Sequence, residues 1–302
     1  MMATSEQKPQ EQKPLEFKIP NLEGVEKPIK NVVFRVSRFD PDKDSKPYYK
    51  DYEVPVYRFT TVLDGLMYIK YNLDPTLAVR YSCRMGVCGS CAMVVNGRER
   101  LACKTNVLSL NSSIVTVRPL NNLPLIRDIV TDLRPFLEKH RKVMPYIIRD
   151  DIEAHQDREF LQSPAELDEY MMLTDCIKCG LCYSACPTTA TDELFLGPQA
   201  LAQAYRYTID SRDAGAKQRF EVVDSPHGVW RCHFAGACSA ACPKGVDPAF
   251  AIQQLKKLIL YRRGAMEKRK PAPESDKVRE GISVEEVVKN IPKEWPSPPA
   301  PK

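Results

Sequence analysis

The sequence predicts an α+β chain in which a strand-rich N-terminal domain precedes an all-α C-terminal domain. Three observations support this prediction. Short runs of alternating apolar and polar residues, separated by turn residues, lie between residues 29 and 122. From residue 123 onward, helical spacing replaces that alternation. Eleven cysteines form one group in the first region and two groups in the second. The length of 302 residues is enough for roughly two domains.

The first strands lie near the start of the 29–122 domain. An alternating run at residues 32–37 and another at residues 52–56 have the period of half-buried strands. The two runs predict a hairpin, with Pro47 and Asp51 in and around its turn.

One helix and a second hairpin complete this domain. Thr61 is a predicted N-cap for a helix that ends near Asp74-Pro75. Asn96-Gly97 has the chemistry of a type I′ turn and predicts a tight hairpin. Residues 114–118 alternate again and predict the last strand.

Residues 123–266 are predicted to form the helical domain. The segment Leu123–Pro145 has helical spacing and is predicted to link the two domains. Later helices are predicted to begin at Pro164, Pro198 and Pro248. The last of them carries apolar side chains that fall mostly on one side: Phe250, Ile252, Leu255, Leu258 and Ile259.

Both ends of the chain are rich in Lys, Glu and Pro and are predicted to be extended. They cover residues 1–28 and 267–302. A capping-box match at Ser283–Glu286 predicts one short helix in the second segment.

Composition excludes several classes of function. The net charge of +5 is mild, and no basic patch is interleaved with aromatic residues, so no nucleic-acid partner is expected. No apolar run approaches the ~18 residues that span a bilayer. The polar N-terminus lacks the apolar centre of a secretory signal. Eleven cysteines without an export signal indicate a reducing compartment and metal binding rather than disulfides.

The first cysteine group has the plant-type spacing of a [2Fe–2S] centre, with three ligands in one loop and a fourth beyond a hairpin. Its members are Cys83, Cys88, Cys91 and Cys103. Gly86 and Gly89 lie between the ligands and let backbone N–H groups turn toward the sulfurs. The alternative is a zinc loop or simply buried cysteines, but the position before an Asn-Gly hairpin favours the cluster.

The second group reads C-x2-C-x2-C-x3-C-P, a pattern whose fourth cysteine binds a different cluster from the first three. Its members are Cys176, Cys179, Cys182 and Cys186. The later run has the same spacing at every position, but an alanine replaces one cysteine. Its members are Cys232, Ala235, Cys238 and Cys242.

Crossed pairing of the two runs predicts two further clusters. One is a [4Fe–4S] centre held by Cys176, Cys179, Cys182 and Cys242. The other has three thiolates, Cys186, Cys232 and Cys238, and Ala235 cannot hold a fourth iron, so a [3Fe–4S] centre is predicted. A labile fourth iron held by water or a remote side chain is the alternative. Zinc sites more often use separated C-x2-C pairs. No thiol remains for catalysis and no nucleotide-binding loop is present, so the chain is predicted to carry electrons between partners.

This order of motifs resembles the iron–sulfur subunit of succinate dehydrogenase and quinol:fumarate reductase. The resemblance covers about residues 30–265. Beside the double cysteine run, it rests on Tyr81–Cys91, Pro124–Asp128 and Cys242–Pro248. The resemblance implies a plant-type ferredoxin domain of the β-grasp fold, followed by an all-α domain like bacterial ferredoxins.

The resemblance also implies a function. A partner flavoprotein with FAD would oxidise succinate to fumarate or run the reverse reaction. Electrons would pass singly through the [2Fe–2S], [4Fe–4S] and [3Fe–4S] centres to a quinone at a membrane anchor of one or more subunits, with or without haem b. The chain would then be peripheral on the cytoplasmic face of a prokaryotic cell membrane. The alternatives are a quinol:fumarate reductase, a soluble iron–sulfur adaptor of another oxidoreductase complex, and a zinc-stabilised scaffold.

Three residues are carried over from the family's quinone site: Pro187, His233 and Lys256. The alternatives are a surface histidine or one that supports a ligand at position 233, and an exposed helix lysine beside Lys257. Many succinate dehydrogenases have tryptophans shortly after the equivalent of Pro187, one of which binds ubiquinone. This chain has Thr-Thr-Ala-Thr at residues 188–191 instead, which favours menaquinone over ubiquinone.

Overall fold

The structure is a computed structural model that describes residues 27–151 and 159–263. Most of the extended segment predicted at residues 1–28 lies outside the described residues. The segment predicted at 267–302 also lies outside them, together with the capping-box helix at Ser283–Glu286.

A mixed five-stranded sheet forms the N-terminal domain, and the prediction of a strand-rich domain is confirmed. The strands run in the order β2-β1-β5-β3-β4, and the β1–β5 pair is parallel while the other pairs are antiparallel. Their bounds are β1 (Lys30–Arg38), β2 (Tyr48–Val56), β3 (Ala92–Val95), β4 (Arg98–Leu101) and β5 (Ile114–Arg118).

The first hairpin forms as predicted, but its turn lies earlier than expected. The sequence predicts Asp51 in or near the turn, and the structure puts it inside β2 opposite Arg35. Both Asp51 carboxylate oxygens accept hydrogen bonds from Arg35, at 2.9 and 2.8 Å. The cross-strand ion pair therefore extends the ladder back to Tyr48, and the turn lies before it.

Helix α1 (Val62–Tyr68) packs across the sheet and begins at the predicted cap. The Thr61 side chain accepts a hydrogen bond from the Asp64 backbone N–H, and the Asp64 carboxylate accepts from the Thr61 N–H. A π-helical turn, Ile69–Leu73, follows and ends at Asp74. A Cβ at Gly65 would lie 2.3 Å from the Phe34 ring, so only glycine allows α1 to lie this close to β1.

The predicted helix across Leu123–Pro145 is wrong in its first half. Strands β6 (Leu125–Arg127) and β7 (Val130–Thr131) form a small hairpin there, and helix α2 begins only at Arg134. The turn residue Asp128 has φ 51° and is 2% exposed. Its carboxylate accepts hydrogen bonds from Arg38 Nε at 2.9 Å and from the Ala78 backbone N–H at 2.7 Å. A distant ion pair, rather than local spacing, decides the conformation of this segment.

The second domain is helical among the described residues. Its helices are α2 (Arg134–Lys142), α3 (Pro164–Asp168), α4 (Met171–Thr174), α5 (Leu181–Ser184), α6 (Pro187–Thr191), α7 (Pro198–Ile209), α8 (Ala216–Val223), α9 (Ala237–Ala240) and α10 (Pro248–Arg263). The predicted starts at Pro164, Pro198 and Pro248 are confirmed.

The apolar face predicted for α10 needs one correction. Ile252, Leu255 and Ile259 are buried against α7, but Phe250 is 45% exposed and belongs to the outer face. Within the described ranges, no helix combines the length and the apolar character that crossing a membrane requires.

Polar contacts join the two domains where the chain passes from one to the other. The Asn122 side-chain amide donates to the carbonyl oxygens of Tyr183, Ser184 and Cys186 at 3.1, 3.0 and 3.3 Å. The Ser184 hydroxyl accepts from the Asn121 backbone N–H and donates to the Glu99 carboxylate. These bonds hold the cysteine-bearing end of α5 against the sheet domain.

Candidate iron–sulfur cluster sites

The loop from Cys83 to Cys91 curls so that its backbone N–H groups point at sulfur. Arg84, Gly86 and Gly89 have φ values of 59°, 73° and 75°, which turn successive peptide units toward the inside of the loop. The Cys83 sulfur accepts from the backbone N–H groups of Met85, Val87 and Cys88, at 3.5, 3.3 and 3.3 Å. Such a cradle suits an anionic thiolate.

The four cysteines of this first group differ in environment. Cys88 is exposed, and hydrogen bonds, led by one from the Ser90 side chain, lower its pKa to about 6. Cys91 and Cys103 are buried, and burial raises the pKa of the Cys91 thiol to about 12. Without a metal, the inner thiol keeps its proton, and a cation would have to displace it.

Cysteines from both the second and the third group meet in a cavity of about 400 Å³ empty volume, which we call the middle cavity. The cysteines that line it are Cys176, Cys179, Cys182 and Cys242. They are the same four that crossed pairing assigns to a [4Fe–4S] centre. Burial raises the pKa of Cys179 to about 11 and raises that of Cys182 well above its usual value. Neighbouring cysteines add to both shifts, as expected where several thiols share one low-dielectric space.

The third cluster site is a separate cavity of about 310 Å³ empty volume, which we call the third cavity, and it has three cysteines in its wall. They are Cys186, Cys232 and Cys238, and Ala235 lines the same cavity. Burial raises the pKa of Cys238 to about 11. Ala235 is exposed, so the missing thiol would have stood at the surface end of the cavity.

The backbone repeats itself at the two cysteine runs. Lys178 and Phe234 both have left-handed φ values, 54° and 58°, and so do Gly180 and Gly236, at 82° and 72°. Each glycine is then the N-cap of a four-residue helix, α5 in the first run and α9 in the second. Ala235 therefore occupies in the second run the place that Cys179 has in the first.

The middle cavity adjoins both of the other sites. A Cβ at Gly89, in the first loop, would lie 2.7 Å from the Cys179 Cβ, so that loop contacts the wall of the middle cavity. Cys238 of the third cavity lies close enough to Cys182 of the middle cavity to contribute electrostatically to the raised pKa of Cys182. The first turn of α7 separates the two cavities, with Pro198 lining the third and Gln199 lining the middle one.

The three residues predicted for a quinone site have different positions. Pro187 and His233 are exposed and line the third cavity. Lys256 does not line it, and its ammonium group donates to the Cys232 carbonyl oxygen at 2.8 Å. Lys256 is therefore not the exposed lysine of the alternative interpretation, because it holds the backbone of a cysteine at the cavity.

Sequence reasoning missed two residues at these cavities. Phe234 is 58% exposed at the third cavity, and the only signal was its place inside the Cys232–Cys238 loop. Gln199 is buried at the middle cavity, and no local pattern distinguishes it from other helix residues.

Comparison with known proteins identifies the family to which the chain belongs. The 2Fe-2S iron-sulfur cluster binding domain matches residues 33–138, and the 4Fe-4S dicluster domain matches residues 172–246. The fumarate reductase iron-sulfur subunit of Mycobacterium tuberculosis is 49% identical over 225 residues, which cover 74% of this chain and 91% of that protein. The chain belongs to the family of succinate dehydrogenase and fumarate reductase iron–sulfur subunits.

Other members of the family agree. The Haemophilus influenzae fumarate reductase iron-sulfur subunit is 44% identical, with 76% of this chain and 92% of that protein covered. A chain of the Mycobacterium smegmatis Sdh1 complex superposes with a TM-score of 0.69 at 27% identity, covering 78% of this chain and 98% of that one. The predicted fold class, a ferredoxin-like [2Fe–2S] domain followed by a mostly helical domain, is confirmed.

The residues present fit the clusters that such domains bind. Each site offers thiols, and the first loop directs N–H groups at sulfur in the way that stabilises thiolate charge. In the described part of the chain, no three His, Cys, Asp or Glu side chains are grouped for a single metal ion.

Proposed function

We propose that this iron–sulfur subunit conducts electrons between a partner flavoprotein that carries FAD and a membrane quinone, as part of a succinate:quinone oxidoreductase. One observation carries the proposal: a cavity with four cysteines adjoins one with three cysteines and Ala235. Together with the first loop, that arrangement suits [2Fe–2S], [4Fe–4S] and [3Fe–4S] centres. When bound, such centres supply one-electron carriers.

The chain's own contribution is to hold these carriers close together and keep them dry. The contact of Gly89 with Cys179 brings the first loop against the middle cavity. The adjoining α5 and α9 segments place Cys182 near Cys238. Four of the eleven cysteines are buried and six are partly buried, and this burial limits water around them and so reduces the solvent reorganisation that accompanies each transfer. On this proposal, bond chemistry on the dicarboxylate belongs to the partner flavoprotein.

The third cavity is the proposed exit. Its mouth carries exposed Pro187, His233 and Phe234, a small apolar and aromatic surface that suits a quinone ring and a membrane anchor. Lys256 supports the Cys232 backbone there, so its part in quinone reduction would be to hold this wall in place and supply positive charge. On this proposal the subunit is peripheral on the cytoplasmic face of a prokaryotic membrane, bound to one or more anchor subunits with or without haem b.

The direction of the reaction has two candidates. The curated relatives at 44–49% identity are named fumarate reductase subunits, which favours quinol oxidation coupled to fumarate reduction. The superposed Sdh1 complex favours succinate oxidation. The Thr-Thr-Ala-Thr segment at residues 188–191 favours menaquinone in either case. Assaying the purified complex in both directions, with menaquinone and ubiquinone analogues, separates these candidates.

Ala235→Cys tests the cluster assignment. The new thiol completes the third set, so we expect conversion toward a [4Fe–4S] centre and loss of the oxidised-state EPR signal of a [3Fe–4S] cluster. Ala240→Cys is the matched control, because Ala240 is also exposed and lies on α9 without lining the cavity. An Ala235→Cys spectrum identical to the control would refute the assignment. A colourless protein containing zinc would indicate the scaffold alternative.

Lys256→Met tests the proposal that electrons leave the subunit for quinone at the third cavity. Quinone turnover should fall at least several-fold, while succinate oxidation with artificial acceptors stays close to that of the unmodified complex. Lys257→Met is the control, because Lys257 is its exposed neighbour on α10. An equal loss of both activities would contradict a role at the quinone. Isolation without flavin, anchor or membrane would instead support the soluble adaptor.

A further inference from the structure

Gln199 is a buried amide in the wall of the middle cavity. It is 2% exposed, lies in the first turn of α7, and lines the cavity together with Cys176. Its Nε2 lies 3.2 Å from Nδ1 of His140, which is buried on α2. Among the described residues its Oε1 has no hydrogen-bond partner. A polar side chain kept in such a place costs stability, so its presence at a cluster cavity points to a use there.

The contact with His140 determines how the amide is oriented. An amide nitrogen can only donate, so His140 Nδ1 accepts and the imidazole proton lies on its Nε2. Burial, with a smaller contribution from the charge of Lys178, lowers the pKa of His140 to about 4. The ring is therefore neutral at pH 7 and able to accept.

The second N–H of the amide is left for the cavity. Gln199 and Cys176 line the same cavity. Burial raises the pKa of the Cys176 thiol, and two donors oppose that rise, first the Lys178 backbone N–H and then the Gln199 side chain. The reversed amide would put its oxygen against this sulfur, where two electron-rich atoms repel. A thiolate accepts only, so the donor orientation is the favourable one once a cluster is bound.

We propose that Gln199 donates a hydrogen bond to the Cys176 sulfur of the bound cluster, that His140 fixes the amide for this purpose, and that the pair raises the cluster's reduction potential. Reduction adds negative charge, and a donor to sulfur stabilises the more negative state more strongly. Gln199 and His140 are thus positioning residues that tune the middle carrier. The inference rests on the proposed assignment of Cys176 to the [4Fe–4S] centre.

The same helix offers a matched control. Gln203 lies one turn after Gln199 and is 7% exposed. Its Nε2 donates to the Leu173 carbonyl oxygen at 2.9 Å, and it is not part of the cavity wall. Replacing it removes a buried amide of the same size without removing a donor to sulfur.

The experiment is an EPR-monitored redox titration of the full chain, purified with its partner subunits. Gln199→Met keeps the length and helix propensity of the side chain and removes its donors. We expect the ratio of oxidised to reduced cluster at a fixed potential to rise about tenfold, which is about 59 mV toward lower potential for one electron. Gln203→Met should leave the midpoint unchanged.

Gln199→Glu provides a second test if the methionine variant does not retain its cluster. A protonated carboxyl can donate to sulfur and an ionised one cannot, so its midpoint should fall with rising pH more steeply than that of the unmodified protein. An unchanged midpoint in Gln199→Met, or equal pH dependence in Gln199→Glu, overturns the proposal. Absence of a [4Fe–4S] signal in the unmodified complex would instead refute the cluster assignment itself.

Discussion

Gly89→Ala tests the contact between the first loop and the middle cavity. The added Cβ would lie 2.7 Å from the Cys179 Cβ and 3.0 Å from its Cα. Carbon atoms prefer about 3.5–4.0 Å, so one wall must move by roughly 1 Å. Neither wall is a flexible side-chain tip, because both atoms belong to or adjoin the backbone. The position also has φ 75°, which a residue with a Cβ tolerates poorly.

The loss of stability expected for Gly89→Ala is the sum of the steric overlap and the unfavourable φ. A left-handed φ costs about 1–2 kcal/mol in a residue other than glycine. Overpacking against a fixed wall adds about 1–3 kcal/mol. Gly97→Ala isolates the first effect, because Gly97 has φ 76° in the β3–β4 turn and a Cβ added there would meet no atom within 4 Å.

Thermal unfolding of the two variants, followed by circular dichroism and by cluster absorbance, measures the difference. Gly97→Ala should lower the free energy of unfolding only by the cost of the left-handed backbone conformation. Gly89→Ala should unfold at a clearly lower temperature, by about 2–4 °C for each additional kcal/mol in a chain of this size. Its EPR spectrum should also change at both the [2Fe–2S] and [4Fe–4S] centres. Equal midpoints for Gly89→Ala and Gly97→Ala would refute the close approach of the loop to Cys179.

Two further predictions concern buried charge. Asp74→Asn should destabilise the fold by about 3 kcal/mol, because Asp74 accepts from Arg38, Lys50 and Tyr52 at 2.6, 3.0 and 2.8 Å, and removing one partner of a buried pair leaves the other uncompensated. Asp51→Asn, which breaks an exposed pair, should change denaturant stability little, and a similar loss in both variants would contradict the network's importance. His140 has its pKa lowered to about 4 by burial, so the unfolded chain binds a proton below about pH 6.5 that the folded chain does not. Stability should therefore be full above about pH 6.5 and fall by about 2 kcal/mol at about pH 5. Chemical denaturation of His140→Phe should lack this component, and an identical pH slope would argue against it.

Local chemistry predicted the sheet domain well. The Thr61 cap, the Asn96-Gly97 turn and the alternation of residues 32–37 each depend on neighbours within a few positions, and each forms as expected. The cysteine groups could also be recognised in the sequence, because the spacing of cluster ligands is a local constraint. The structure brings together the same cysteines at the middle and third cavities, although the spacing alone gave no cavity and no burial.

The failures share a cause in long-range contacts. The β6–β7 hairpin forms because Asp128 reaches Arg38, ninety residues earlier in the chain. Asp51 joins a strand because Arg35 faces it across the ladder. In each case a tertiary hydrogen bond overrides the preference that spacing suggests.

The Asn122 amide fixes the junction between the two domains by hydrogen bonds, so the domains are connected by more than the polypeptide chain. Its three carbonyl partners belong to the peptide that carries Cys182 and Cys186, which line two different cavities. Cutting the chain at this junction would strand those carbonyls on one fragment and their donor on the other. When N-terminal domains are exchanged between relatives, Asn121-Asn122 should therefore stay with the helical domain whose carbonyl groups these residues contact. Otherwise the incoming domain will lack the hydrogen bonds that hold the two domains together.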